Sequence, residues 1–388
     1  MKKIAVVFGT RPDTIKLAPI ILELLREKKL FRTLTIATAQ HRQMLDQVLD
    51  VFKIAPDYDL NIMQPKQSLA LLTQNTIAAL DEVLEKEAPD LVLVQGDTST
   101  TFVGSLAAFY RHIPVGHVEA GLRTNDKANP FPEEINRRLT SCIADIHFAP
   151  TETAKKALLH EHVDRKKIFV TGNSVIDALR FSVRKKYSFT IPALNTLTAQ
   201  KNRIVLLTMH RRENLGEPMR HACEAVRDLA AMHRDMNFIF PVHLNPLVRE
   251  VVYGTLGSLE NVFLLEPLDY LDFVNLMARS YLIITDSGGV QEEGPALGKP
   301  ILVLRDVTER PEAVAFGTVK LVGLKKARIF AAAQQLIDNS STYRRMASAT
   351  NPYGDGRAAK RTVAIIKNYF GLSTKSVPQF RPGRLQSR

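Results

Sequence analysis

The chain has 388 residues, 45% of them hydrophobic and 24% charged, which is too long for one ordinary domain and supplies material for two cores. No apolar run reaches membrane-spanning length, so no membrane partner is expected. The net charge of +12 predicts an anionic partner, yet it is dispersed, without a basic helix or an aromatic-interleaved stripe, which argues against nucleic acid and for a polyanionic small substrate.

The opening MKKIAVVFGTRP loses its apolar character after Phe8, too soon for a secretory leader, and reads as the first strand. Strands are then predicted at Ile4–Phe8, Leu34–Thr38, Leu91–Val94, Val115–Val118, Ile146–Phe148 and Ile168–Val170. A second set follows at Ile204–Thr208, Phe238–Val242, Val262–Leu265, Tyr281–Thr285, Ile301–Leu304 and Val319–Val322. Most are continuous apolar runs, as expected of parallel strands covered on both faces, with helices between them. The pattern predicts an α/β protein with two doubly wound, Rossmann-like sheets in tandem, over 1–185 and 190–354. The least patterned stretch, Lys185–Asn202 with Pro192, is the expected linker. The basic, Pro-containing tail, Thr374–Arg388, is expected to be disordered. Cys142 and Cys223 fall in helical patterns and read as core thiols of a cytoplasmic, reduced protein.

Ligands of such sheets bind at the carboxyl ends of strands, and polar residues collect there, which predicts a cleft between the two domains. After the first strand come Arg11, with Pro12 as a good first helical residue, and Lys16 one turn on, a pair suited to phosphate. Asp97, Glu119 and Glu133 from the first half, with His210 from the second, form a predicted acid–base set, while Glu134 reads as a helix-dipole partner. A metal site at Asp97, Glu119 and His210 is disfavoured because no Asp-x-Asp element or clustered His spacing accompanies them. Around Ile283–Arg310, a strand, an Asp286-Ser287-Gly288-Gly289 turn and a short helix aim backbone N–H groups at an anion. Ser287 adds a hydroxyl, Glu292 and Glu293 could accept sugar hydroxyls, and Arg310 offers a planar fork. The ligand inferred is a nucleoside diphosphate carrying a sugar.

GTRPDTIKLAPI, TAQHRQMLDQVL, QGDTSTTF, GHVEAGLRT, PFPEEINR, TGNSVIDAL, HRRENLGEP, PVHLNP, TDSGGVQEE, RDVTERPEAV and NPYGDGRA span nearly the whole chain. In number and order these motifs closely resemble those of the non-hydrolysing UDP-N-acetylglucosamine 2-epimerases. The resemblance implies a glycosyltransferase-B-type fold in which the final helix, about 356–370, returns to the first domain. It implies an isomerase that interconverts UDP-GlcNAc and UDP-ManNAc with no nicotinamide or metal cofactor. The route is elimination of UDP across C1–C2 to 2-acetamidoglucal, then re-addition. By position, Asp97, Glu119, Glu133 and His210 match the catalytic group, with the C2 base left unassigned among the carboxylates. Arg11, Lys16, Ser287, Gly288, Gly289, Glu292 and Arg310 match the substrate-binding positions. Gln40, Gln43, Arg211 and His243 fall in motifs that bind a second UDP-GlcNAc as activator in bacterial members, and a homodimer is expected. Departures are Asp13-Thr14 for the usual Glu-Ala, Gln95 for a frequent His, Phe131 for a frequent Trp, and Met209 before the histidine. Other readings are a hydrolysing epimerase, an epimerase of a diacetamido uronic acid, a transferase of the same fold and a non-catalytic sensor. The GTRP opening and the full carboxylate set argue against them.

Overall fold

A computed structural model of the chain describes residues 1–38, 42–64, 67–211 and 214–383, and of residues 42–44 the backbone alone. Gln40 and the side chain of Gln43 therefore lie outside the described residues. Two compact units are present: 1–181 with 353–382, and 182–352.

The first unit holds seven strands, β1 (Lys2–Phe8), β2 (Phe31–Ala37), β3 (Tyr58–Asp59), β4 (Leu91–Gln95), β5 (Val115–Val118), β6 (Ile146–Ala149) and β7 (Ile168–Val170). They form one sheet in the order β3-β2-β1-β4-β5-β6-β7, and every pairing is parallel. The second unit holds β8 (Arg203–Thr208), β9 (Met236–Pro241), β10 (Val262–Leu265), β11 (Leu282–Thr285), β12 (Ile301–Val303) and β13 (Val319–Leu321), ordered β10-β9-β8-β11-β12-β13 and again parallel. Each strand expected from its apolar run is present. The one added strand, β3, has two residues, too short to leave a pattern. Central strands such as β4, LVLVQ, are buried along their whole length, because helices cover both faces.

The order reverses beside β1 in one sheet and beside β8 in the other, so the chain turns that follow these strands lie at the switch points where such sheets hold ligands. Helix Arg11–Arg26 follows β1 directly, started by a capping box between Thr10 and Asp13.

Three expectations need correction. The stretch 185–202 is no linker: it carries helix Pro192–Ala199 and belongs to the second unit. Tyr187 Oη donates to Asp272 at 2.7 Å, Thr190 N donates to both of its oxygens, and Leu194 is fully buried. Its Thr-rich composition concealed a segment held by one buried acid. The described part of the tail, 374–383, is not loose either. Phe380 is buried, its N–H donates to Val170 O at 2.8 Å, and Val170 N donates to Gln379 Oε1 at 3.2 Å, so the tail runs along edge strand β7. Cys142 is exposed, and only Cys223 is a core thiol, its titration pushed up to about 12 by burial.

Helix Ala358–Tyr369 completes the first unit against helix Arg11–Arg26. Its first two free N–H groups, Ala358 and Ala359, donate to Asp177 at 3.1 and 3.0 Å. Removing the Phe380 ring should cost roughly 3 kcal/mol and free the tail. A lower urea midpoint and faster proteolysis after residue 370 in Phe380→Ala would be the readout.

Candidate active site

In the first unit the site is built on the turns after β1, β4 and β5. A side chain at Gly9 would collide with the hydroxyls of Thr38 and Thr100, so the backbone passes where only glycine fits. Asp13, almost fully buried, accepts from Gly9 N at 3.1 Å, Thr10 N at 2.7 Å, Thr10 Oγ1 at 2.8 Å and Thr14 N at 2.9 Å. Burial outweighs those four donors and raises its carboxyl to about 6. This one acid fixes the turn that presents Arg11. Among the described residues, the Arg11 side chain has no hydrogen bond or ion pair and stays available to an anion.

Lys16 is differently placed. Its Nζ sits 2.6 and 2.7 Å from the two oxygens of Glu119, so it is an internal counter-ion rather than the second member of a free cation pair with Arg11. Glu119 is 8% exposed and sits at φ +63, a conformation that costs on the order of 1–3 kcal/mol for a residue other than glycine. It also accepts from Asn173 Nδ2 at 2.7 Å and from Gln95 Nε2. Gln95, where histidine is frequent, thus serves as a donor to this carboxylate.

Asp97 follows Gly96, itself at φ +72. Arg137 Nη2 donates to its Oδ2 and Asn136 Nδ2 to its carbonyl at 3.0 Å, both from helix Glu133–Ile143. Burial raises the Asp97 carboxyl above the usual range, Arg137 opposes this, and nearby Glu119 adds to it. Glu133 opens the same helix, and its Oε2 is buried with no hydrogen-bond partner among the described residues. Glu134 is more than a dipole partner: wholly buried, it accepts from Thr124 N and Asn125 N at 3.0 and 3.2 Å and pins that loop. The three carboxyl groups differ in setting: Glu119 is paired with Lys16, Asp97 is paired with Arg137 yet raised by burial, and Glu133 has one buried oxygen without a hydrogen-bond partner among the described residues.

In the second unit the organiser is Asp286, fully buried at the end of β11. It accepts from His210 N, Arg211 N and Asn214 Nδ2, each at 3.0 Å, which folds the turn after β8 onto its own. His210 Nδ1 lies 3.2 Å from Asp286 Oδ1, an arrangement that favours the Nδ1–H tautomer on a half-exposed ring. His243, after β9, stacks on it with ring centres 6.1 Å apart, its own Nδ1 accepting from Asn245 N.

Ser287 and Gly288 follow β11, and Gly289 caps helix Val290–Ala296. A Cβ at Gly288 would stand 2.7 Å from Arg310 Nη1, so the guanidinium packs directly on this glycine. Arg310 Nε donates to Glu292 at 2.6 Å and Nη1 to Glu309 at 2.8 Å. Glu292, 2% exposed, is therefore a holder of Arg310 rather than an open acceptor for sugar hydroxyls. Burial would raise Glu309, yet Arg310, Arg305 and Arg211 hold it down at about 2. Arg211 also donates through Nε to Asp286 O at 3.0 Å. Asp13, Arg137, Asn173 and the structural role of Asp286 were missed from sequence. Their only signal is a polar residue inside a quoted motif. Among the described residues no three His, Cys, Asp or Glu side chains gather as a metal site.

The family model described as UDP-N-acetylglucosamine 2-epimerase matches residues 23–367. The UDP-N-acetylglucosamine 2-epimerase of Bacillus subtilis (strain 168) is 53% identical over 382 residues, covering 98% of this chain and 99% of its own. The crystal structure of UDP-GlcNAc 2-epimerase from Neisseria meningitidis bound to UDP-GlcNAc superposes with TM-score 0.86 at 51% identity, over 94% of this chain and 100% of that one. The Methanocaldococcus jannaschii enzyme, in complex with UDP-GlcNAc and UDP, gives 0.78 at 36% identity over 94% and 99%.

The raised Asp13 carboxyl has a stability consequence. Its folded value, about 6, lies above the unfolded 3.8, so its contribution is present below 3.8 and is lost as pH rises through about 6. The urea midpoint of the first unit should fall across that window, and Asp13→Asn should flatten the fall.

Proposed function

This chain belongs to the UDP-N-acetylglucosamine 2-epimerase family, and from that premise we propose that it inverts C2 of UDP-GlcNAc to give UDP-ManNAc by eliminating and re-adding UDP. The C2 proton is weakly acidic, so direct inversion is costly. Elimination avoids that: a base takes the C2 proton, the C–H electrons form a C1=C2 bond, and the C1–O bond breaks to release UDP and 2-acetamidoglucal. UDP then re-adds at C1 while a proton reaches C2 from the opposite face, which requires two proton carriers.

The observation that carries this is the set of three carboxyl groups in separate electrostatic settings. Glu119, locked to Lys16, Gln95 and Asn173, is suited to remain ionised and hold its place. Asp97, raised by burial, and Glu133, with an unpartnered buried oxygen, are the two groups suited to exchange a proton at C2. The phosphates go to Ser287, Gly288, Gly289 and Arg310, with Arg11 as a further cation. His210, held through Nδ1 by Asp286, offers Nε2 to the departing diphosphate.

Proton NMR with UDP-GlcNAc in heavy water tests this. UDP-ManNAc signals should grow as the C2 proton disappears from both pools, whereas free ManNAc and UDP as early products would refute re-addition. Asp97→Asn should lower turnover at least about a hundredfold while UDP binding is kept.

The product would supply ManNAc for cell-surface polysaccharide from the cytoplasm, where UDP-sugars serve as donors. Control by a second UDP-GlcNAc belongs to the same reading, and the stacking of His243 on His210 supplies a route for it. His243→Ala should therefore abolish substrate cooperativity, and hyperbolic kinetics in the parent enzyme would remove the idea. A homodimer is also part of the proposal, with exposed Phe109 and Tyr110 as apolar surface for it.

A further inference from the structure

Both backbone polar groups of Gly96 are gripped from strand β5. Its N–H donates to Val118 O at 3.0 Å, and its carbonyl accepts from the side chain of the preceding β5 residue, His117 Nε2, at 2.8 Å. The next residue of that strand end is Glu119. Gly96 lies at φ +72, and a Cβ there would touch Glu119 Oε2 at 3.4 Å. The turn therefore runs past one carboxyl group and leads directly into the other, Asp97.

His117 is fully buried, and its partner fixes its chemistry. A carbonyl oxygen only accepts, so Nε2 carries the proton and Nδ1 is left as an acceptor. That Nδ1 is buried with no hydrogen-bond partner among the described residues. A buried acceptor without a donor is costly, and an apolar side chain would not carry one. Packing alone does not account for a histidine here; the bond from Nε2–H to Gly96 O does. Nor does the ring exchange protons. Burial opposes a positive charge on it, as do His147 on the paired strand, Arg123 and Arg137, and its titration is pushed down to about 3. The flanking residues of the turn have other holders. Thr101 Oγ1 donates to Gln95 O, Asn136 Nδ2 to Asp97 O, and Arg137 to the Asp97 carboxylate. His117 holds the residue between them.

We propose that His117 is a positioning residue for the epimerase reaction, its Nε2–H to Gly96 O fixing the Asp97 carboxyl group in register with Glu119. This rests on the reading of Asp97 as a proton carrier at C2. A displacement of about 1 Å at such a group is enough to cost on the order of a hundredfold in rate.

Two substitutions separate the donor from the bulk. His117→Met keeps a side chain of similar length and removes the N–H, whereas His117→Gln places an amide N–H where Nε2 stands. The Met variant should stay folded by its urea midpoint and lose about ten- to a hundredfold in kcat. KM and UDP binding should change little, since no residue proposed to hold the diphosphate lies on this turn. Carbon-13 NMR of labelled aspartate, with the Asp97 resonance identified by its loss in Asp97→Asn, adds a readout that lost stability would not move. In the parent that carboxyl is raised by burial, with Arg137 and Lys16 opposing and Glu119 adding. Relaxed toward water in the Met variant, it should titrate at lower pH, and His117→Gln should restore both its titration and kcat. An unfolded Met variant would assign the histidine to the fold alone and overturn the proposal. So would a parent-like kcat or a parent-like Asp97 titration in the folded Met variant, or no recovery with Gln. Should the parent itself exchange no C2 proton, the epimerase reading fails, and the Asp97 titration still decides whether His117 positions it.

Discussion

A parallel strand that ends inside a domain releases a turn whose N–H groups have no ladder to join, and each must find an acceptor. One buried carboxylate answers this in each unit. Asp13 gathers the amides of Gly9, Thr10 and Thr14 after β1, and Asp286 gathers those of His210 and Arg211 after β8. β1 and β8 hold the same place in their sheets, beside the reversal of strand order. Remove either acid and the turn loses its shape, taking Arg11 or His210 with it.

The two units divide the electrostatic labour. In the second, arginines surround acids: Arg310, Arg305 and Arg211 share Glu309, and Glu292 takes the Nε–H of Arg310. Such a lattice keeps guanidinium groups in one orientation, so little side-chain freedom is left for them to lose. In the first, acids outnumber the cations that reach them, so burial and mutual repulsion leave Asp97 above its ordinary range. One arrangement fixes guanidinium groups, and the other leaves a carboxyl group above its ordinary range.

Much of this was legible in the sequence because parallel strands are written as unbroken apolar runs, and the polar residues that interrupt them mark the carboxyl ends. Partnership was not legible. Glu292 looked like an open acceptor because its distance to Arg310, eighteen residues on, is set by the turn between them. Lys16 looked like a phosphate ligand until Glu119, more than a hundred residues away, proved to be its partner. Composition misled at 185–202 and in the tail, where one residue in each, Leu194 and Phe380, decides the packing against an otherwise polar stretch. The two-residue strand β3 left no period to read.

The first unit is made of two separated pieces of chain, and this has a consequence for how the protein is made. Helix Ala358–Tyr369 owes its capped start to Asp177, on a segment synthesised some 180 residues earlier. On the ribosome, the sheet from β1 to β7 emerges with the surface of helix Arg11–Arg26 still uncovered, and it stays so while the whole second unit is translated and folds. That interval is a window in which a chaperone can engage the nascent chain. It closes only when the last helix docks, so the order of completion is inner unit first, outer unit last.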